Sequence, residues 1–331
     1  TGALTSLIVR SGAWEALGGE GNVVTRQADH GDLWELYQSL DGASRIAMMR
    51  EQPVPAAGEA DFSNEAPGEP GPVLRGAVFS EVEVARPFGA AGEIRTRVRV
   101  YAGVERVEFR TTLVNQDKFV RYQVQFPTSI TGGRCVQEIP FGASERPVGI
   151  EFPAQKWSDY SSIDHGVSLL NRGLPGNVVS GDTLMLSLLR STCIVAYGFG
   201  GGYEPGMSSD TGFELGVPRT FDYALVPHLG DWAAGQIYRH GLEFNNPLIG
   251  QTVEAHAGTL PARWGWLEVS APNLVVSAVK PGREGRLIVR LYEAAGEQTV
   301  GAHLRLHSGV VAAEETNLLE DPGQPLPCEA D

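Results

Sequence analysis

The chain has 331 residues and a formal charge of −14, from 40 acidic against 26 basic side chains. Nucleic acid and anionic membrane surfaces are disfavoured as partners, because neutralising phosphates needs concentrated Lys and Arg. With 41 Gly, 21 Pro and only 8% aromatic residues, many short strands are expected rather than long helices, and the fold class is all-β.

Opening strands are expected in "GALTSLIVRSGAWEAL" and "NVVTRQADHGDLWELY", separated by a Gly-Gly-Glu-Gly turn. The stretch Glu51–Pro72, rich in Pro, Gly and Glu, reads as an exposed loop. Beyond it Val78, Ser80, Val82 and Val84 alternate with Phe79, Glu81 and Glu83. In the next strand Ile94, Val98 and Val100 oppose Arg95, Arg97 and Arg99, with a turn near Ala102-Gly103 and a return through Val107 and Phe109. The arginine row reads as a solvated outer sheet face paired with neighbouring Glu, against the lesser alternative of a polyanion-binding stripe.

Strands continue through "KFVRYQVQFPTSITGGRCVQEIPFG" and "GIEFPAQKWSDYSS" into Asp164–Ser191. There Leu184, Leu186 and Leu188 fall on one side of an extended chain, with Thr183, Met185 and Ser187 on the other. Gly173, Pro175, Gly176 and Asn177, then Gly181 and Asp182, supply turn chemistry. Gly198–Gly206 reads as a surface loop, since no helix follows to make it a phosphate cradle. One short helix is expected near Trp232–Leu242. From about Gln251 the pattern changes, giving a large β-domain at 1–250 and a small β-sandwich at 251–331.

Cys135, Cys193 and Cys328 are odd in number and lack C-x-x-C spacing, which argues against a disulfide framework or zinc ribbon and for a reducing, cytoplasmic location. No long apolar run or basic-then-apolar leader marks membrane insertion. Because the sequence opens at Thr1 inside a strand pattern, it reads as a piece of a longer protein. His303 and His307 share a strand face, but Arg305 between them opposes a cation. Asp159, Asp164, Asp182, Asp210, Glu214 and Asp231 sit in or near loops and offer candidates for an acid and base pair, though turn roles explain most of them. No G-x-S-x-G elbow supports acyl transfer.

Several ordered motifs carry a resemblance over nearly the full chain. Lys156-Trp157, Asp164 to Asn171 ("DHGVSLLN") and Leu188 to Ser191 ("LLRS") are joined by "VEFRTTLVN", "QFP", "EIPFG", "FDYALVPHLGDW", "NNPL" and "APNLVVSAVKPGREGRLIVRLYEAAG". Together they resemble the post-catalytic C-terminal region of glycoside hydrolase family 38 α-mannosidases. The resemblance implies a large galactose-mutarotase-like β-sandwich followed by a smaller C-terminal β-sandwich. It also implies a Zn²⁺-dependent parent enzyme acting on a mannose-containing glycan, with the nucleophile and zinc ligands in an N-terminal catalytic domain of the same polypeptide. No catalytic residue, metal ligand or cofactor is therefore assigned to this chain. His165 stands where the family often has Tyr, and Leu174-Pro175-Gly176 replaces a turn that is often longer, so fine specificity does not transfer.

The polar strand ends Lys156, Trp157, Asp164, His165, Asn171 and Arg172 are the candidates for a substrate rim or domain interface; local turn bonding is the competing explanation. The alternative function is a stand-alone carbohydrate-binding sandwich using Trp157, Trp232, Trp264 and Trp266.

Overall fold

A strand that alternates apolar and polar residues has one face to bury, so such strands pair into a sheet and the sheet seeks a second apolar surface. The computed structural model describes residues 1–29, 36–37, 45–46, 60–192, 194–197, 203–207, 212–259 and 261–329. They divide into two compact units, Thr1–Pro247 and Leu248–Asp331.

The first unit is built on two antiparallel sheets. A ten-stranded sheet holds Phe79–Pro87, Glu93–Tyr101, Val107–Val114, Pro218–Leu229, His165–Asn171, Trp157–Ser161, Arg134–Ile139 and Gly142–Arg146 in spatial order, with the short strands Glu69–Pro70 and Leu74–Arg75 at its edge. A six-stranded sheet runs Phe152–Pro153, Gly176–Ser180, Thr183–Ser191, Val120–Pro127, Val23–Ala28 and Ala60–Phe62. One buried cluster draws on both, with Val24, Tyr122, Phe126, Leu184 and Leu186 from the smaller sheet and Ile94, Phe109, Leu169, Tyr223 and Leu225 from the larger. Phe126 reaches across to Phe109 at 5.4 Å between ring centroids and to Tyr223 at 6.2 Å. The all-β fold class read from composition holds.

Alternation places the side chains as expected in most strands. Leu184, Leu186 and Leu188 all enter the core, although the register slips between Tyr122 and Gln123, so that Leu188 is the unpaired residue of a β-bulge. The arginine row is paired: Arg95 lies 3.7 Å from Glu83, Arg97 3.1 Å from Glu83, and Arg99 2.6 Å from Glu81. The turn after Tyr101 uses Gly103 at φ +73°, a conformation that favours glycine.

Three expectations need adjustment. Of the expected loop Glu51–Pro72, residues 51–59 lie outside the described residues, and within the rest Ala60–Phe62 and Glu69–Pro70 pair at sheet edges, where proline's missing N–H is tolerated. The helix runs Ile237–Asn245 rather than from Trp232. Asp231 accepts hydrogen bonds from the N–H groups of Ala233 and Ala234 in a turn, and Gln236 adopts a left-handed conformation that blocks earlier helix. Third, Tyr203–Met207 is a strand paired with Ile194–Tyr197; the rest of the Gly198–Gly206 loop, residues 198–202, together with Cys193 and Asp210, lies outside the described residues.

The second unit contains two-stranded antiparallel ribbons: Leu267–Val269 with Leu304–Leu306, Leu274–Pro281 with Leu287–Glu293, and Ala313–Thr316 with Pro322–Leu326.

Replacing Phe126 by Ala removes the ring that joins the two sheets. Urea unfolding is expected to show a loss of about 3–5 kcal/mol; a loss below about 1 kcal/mol would mean that the site collapses to fill the void.

Candidate functional site

The six candidate polar residues do not form one cluster. They lie at the two ends of the strand His165–Asn171 and its partner Trp157–Ser161, which pair with Trp157 opposite Leu170 and Ser161 opposite Gly166. At the usual rise per residue the two ends are roughly 20 Å apart.

At one end Lys156, Trp157, Asn171 and Arg172 meet the helix Ile237–Asn245. Trp157 is fully buried and stacks on Trp232, with centroids 5.4 Å apart. The helix comes close because residue 241 is glycine: a Cβ there would stand 2.7 Å from Trp157 Cδ1. Lys156 Nζ donates to Glu138 Oε1 at 3.1 Å and its backbone N–H to Glu138 Oε2 at 2.7 Å. Asn171 is buried; its Oδ1 accepts from Leu174 N–H at 3.2 Å and its carbonyl from Asn245 Nδ2 at 2.9 Å. Arg172 pairs with Asp222 at 3.4 Å, donates to the Phe244 carbonyl and lies over the Phe244 ring at 4.5 Å. A guanidinium on a carbonyl of the last helical turn satisfies a group that the helix itself leaves unpaired.

At the other end the Asp164 carbonyl accepts from Gly230 N–H at 2.7 Å. His165 stacks on Trp14, with centroids 4.5 Å apart and planes 26° from parallel. Exposed Ile163 and Leu229 flank this pair in sequence and by strand pairing, His165 lying opposite Leu229.

Between the two ends lies a buried polar group that the motif analysis did not assemble. Asp159 Oδ1 accepts from Ser168 Oγ at 2.5 Å and sits 2.8 Å from His228 Nε2, while Oδ2 accepts from Ser161 Oγ at 2.6 Å. Asp159, Ser161, Ser168 and His228 are all buried. Gly166 makes room for the imidazole, since a Cβ there would meet His228 Cε1 at 2.1 Å. The signal in the sequence was the spacing by two: Asp159 with Ser161, and Gly166 with Ser168, share the face opposite the core. Both oxygens of Asp159 are engaged and shielded from solvent, so this carboxylate holds three strands together and is not poised for proton transfer to a sugar.

The other candidate carboxylates disperse. Asp182 accepts from Tyr160 OH at 2.6 Å; the Tyr160 phenol is pushed up to about 12 by burial, then by that bond. Glu214 pairs with Arg219, and Asp231 caps its turn. Burial also pushes the Cys135 thiol up to about 12 and holds the His240 imidazole below its ordinary value. Among the described residues no three His, Cys, Asp or Glu side chains gather as a metal site, so the donor set does not fit the zinc of the resembled family. Beside the sheet edge a groove is lined by Glu81, Glu83, Glu93, Arg95 and Arg97, whose charges pair with one another.

These features define a two-unit β-protein whose largest sheet is capped on its outer face by a helix. Residues 55–194 match the model of the Glycosyl hydrolases family 38 C-terminal domain, and residues 273–330 that of the Glycosyl hydrolases family 38 C-terminal beta sandwich domain. The chain belongs to the C-terminal region of glycosyl hydrolases family 38. It is 29% identical to Alpha-mannosidase 2C1 of Homo sapiens over 97% of this chain, and 30% identical to Alpha-mannosidase of Saccharomyces cerevisiae over 39% of it. Its fold is similar to that in the crystal structure of an alpha-mannosidase from Enterococcus faecalis V583, with a TM-score of 0.76 at 18% identity, covering 98% of this chain and 39% of that one. The chain spans 29% of the length of the human relative and 11% of the yeast one. No helix among the described residues is long and apolar enough to cross a membrane.

Two outcomes test the site. Asp159→Ala strands His228, Ser161 and Ser168 without their acceptor, and urea unfolding is expected to show a loss of about 3–5 kcal/mol. Burial raises the Glu138 carboxyl above its ordinary value, with the Lys156 ammonium opposing the shift. The folded chain therefore holds that proton more tightly than the unfolded chain, and this contribution to stability is lost as pH rises through the raised value. Denaturation of wild type and Glu138→Gln from about pH 4 to about pH 7 is expected to show wild type losing ground to the variant; a gain would reverse the assigned sign.

Proposed function

We propose that this chain is the non-catalytic β-region of a longer α-mannosidase that hydrolyses α-mannosidic bonds in a mannose-containing glycan, and that its large sandwich supports an N-terminal catalytic domain of the same polypeptide. The observation that carries this reading is an uncovered apolar sheet face. On the inner face of the ten-stranded sheet, Val107 is buried in the core, while its neighbour Val100, paired with it, is 44% exposed. One strand farther out the register sets Ser80 opposite Val100; Val78, in the turn just before that strand, is 65% exposed, and Val73, opposite Val82 by the register of the edge strand, is 55% exposed. Exposed valines gathered at one end of a sheet are the kind of apolar patch that another protein surface covers.

The rim formed by Asp164, His165, Trp14 and Leu229 is a second contact in this reading, whereas Lys156, Trp157, Asn171 and Arg172 act by holding the helix on the sheet. Zinc and the nucleophile belong to residues outside this chain. The unpaired cysteines Cys135 and Cys328 support a reducing compartment such as the cytoplasm.

The test uses the full-length protein and the isolated 331-residue chain. Val78→Asp combined with Val100→Asp is expected to lower the full-length protein's hydrolysis of p-nitrophenyl α-D-mannopyranoside severalfold, while leaving the melting temperature of the isolated chain nearly unchanged. Hydrolysis by the isolated chain, or full activity of the double variant, would overturn the proposal.

A further inference from the structure

The second unit carries a surface that the supporting role does not use. In the ribbon of Leu267–Val269 and Leu304–Leu306, Glu268 lies opposite Arg305, and the ladder extends one step as His307 N–H donates to the Trp266 carbonyl at 3.0 Å. Alternation puts Leu267, Val269, Leu304 and Leu306 on one face and Trp266, Glu268, Arg305 and His307 on the other. Trp264 stands beside this second face, 53% exposed, with its ring centroid 6.1 Å from that of His307 and the planes 47° apart. His307 Nε2 is 3.3 Å from Glu268 Oε1.

We propose that Trp264, Glu268 and His307 form a saccharide-binding site on the small unit. An indole left half in water offers an apolar plane, and a pyranose ring offers a matching face of C–H groups. The rim hydroxyls of the sugar both donate and accept, which suits a carboxylate acceptor beside an imidazole. A phosphate-bearing ligand is disfavoured by the carboxylate and by the chain's charge of −14. A metal is disfavoured as well, because only two ligating side chains meet here and no three gather among the described residues. The site stands on this geometry; only the choice of manno-configured sugars rests on the function proposed above.

The experiment is titration of the 331-residue chain with methyl α-D-mannopyranoside, mannobiose and, as a gluco-configured control, cellobiose, followed by tryptophan fluorescence and saturation-transfer NMR. Saturable binding of the mannosides is expected, weakened at least about tenfold by Trp264→Ala and by Glu268→Gln, with the melting temperatures of both variants close to wild type. Absence of binding by any of the three sugars, or binding that survives both substitutions, would overturn the site. Equal binding of cellobiose that is lost with Trp264→Ala would uphold the site and count against the mannoside reading.

Discussion

The apolar seam between the two sheets sets the terms for everything else in the large unit. Phe109, Phe126 and Tyr223 meet there as a three-ring group, and the Tyr223 hydroxyl is held within it by Asn22 Oδ1 at 2.8 Å and Thr111 Oγ1 at 2.6 Å. Those bonds satisfy a buried hydroxyl whose desolvation without partners would cost about 1–3 kcal/mol. Once the inner faces are committed, the period of two sends the alternate residues of every strand to the outer faces.

On the outer face of the large sheet that commitment leaves Trp157, Leu170, Ala224 and Val226 in need of cover, which Ile237 and Phe244 of the helix supply. The same face carries Asp159, Ser161, Ser168 and His228, and their mutual bonds make their burial tolerable. A side chain at Gly241 would drive the helix from Trp157, and one at Gly166 or Gly235 would collide with His228. Lys156 and Arg172, two of the candidates for a substrate rim or domain interface, contact Glu138, Asp222 and Phe244 beside this layer.

A chain of this kind earns a functional reading through its surfaces rather than through a reaction centre. The family assignment places it in the C-terminal region of glycosyl hydrolases family 38, and the exposed valines of the large unit and the tryptophan face of the small unit are the two surfaces on which the proposals above act. They differ in chemistry: Val73, Val78 and Val100 offer only apolar area, whereas Trp264, Glu268 and His307 combine a ring with hydrogen-bonding groups.

The sequence by itself determined the strands, because alternation such as Leu184, Leu186 and Leu188 against Thr183, Met185 and Ser187 is a local property of extended backbone. It also determined the arginine-glutamate face, where neighbouring strands carry opposite charges at matching positions, and the family resemblance through its ordered motifs. The tertiary structure alone decided which polar residues meet. Asp164 and Asn171 are close in sequence yet stand at opposite ends of one strand, whereas Asp159 and His228, 69 residues apart, share a hydrogen bond. The helix start was equally out of local reach, for Asp231 and Gln236 act through turn geometry rather than periodicity. Spacing along a chain sets which face a side chain takes; only the packing of one strand beside another sets its neighbours.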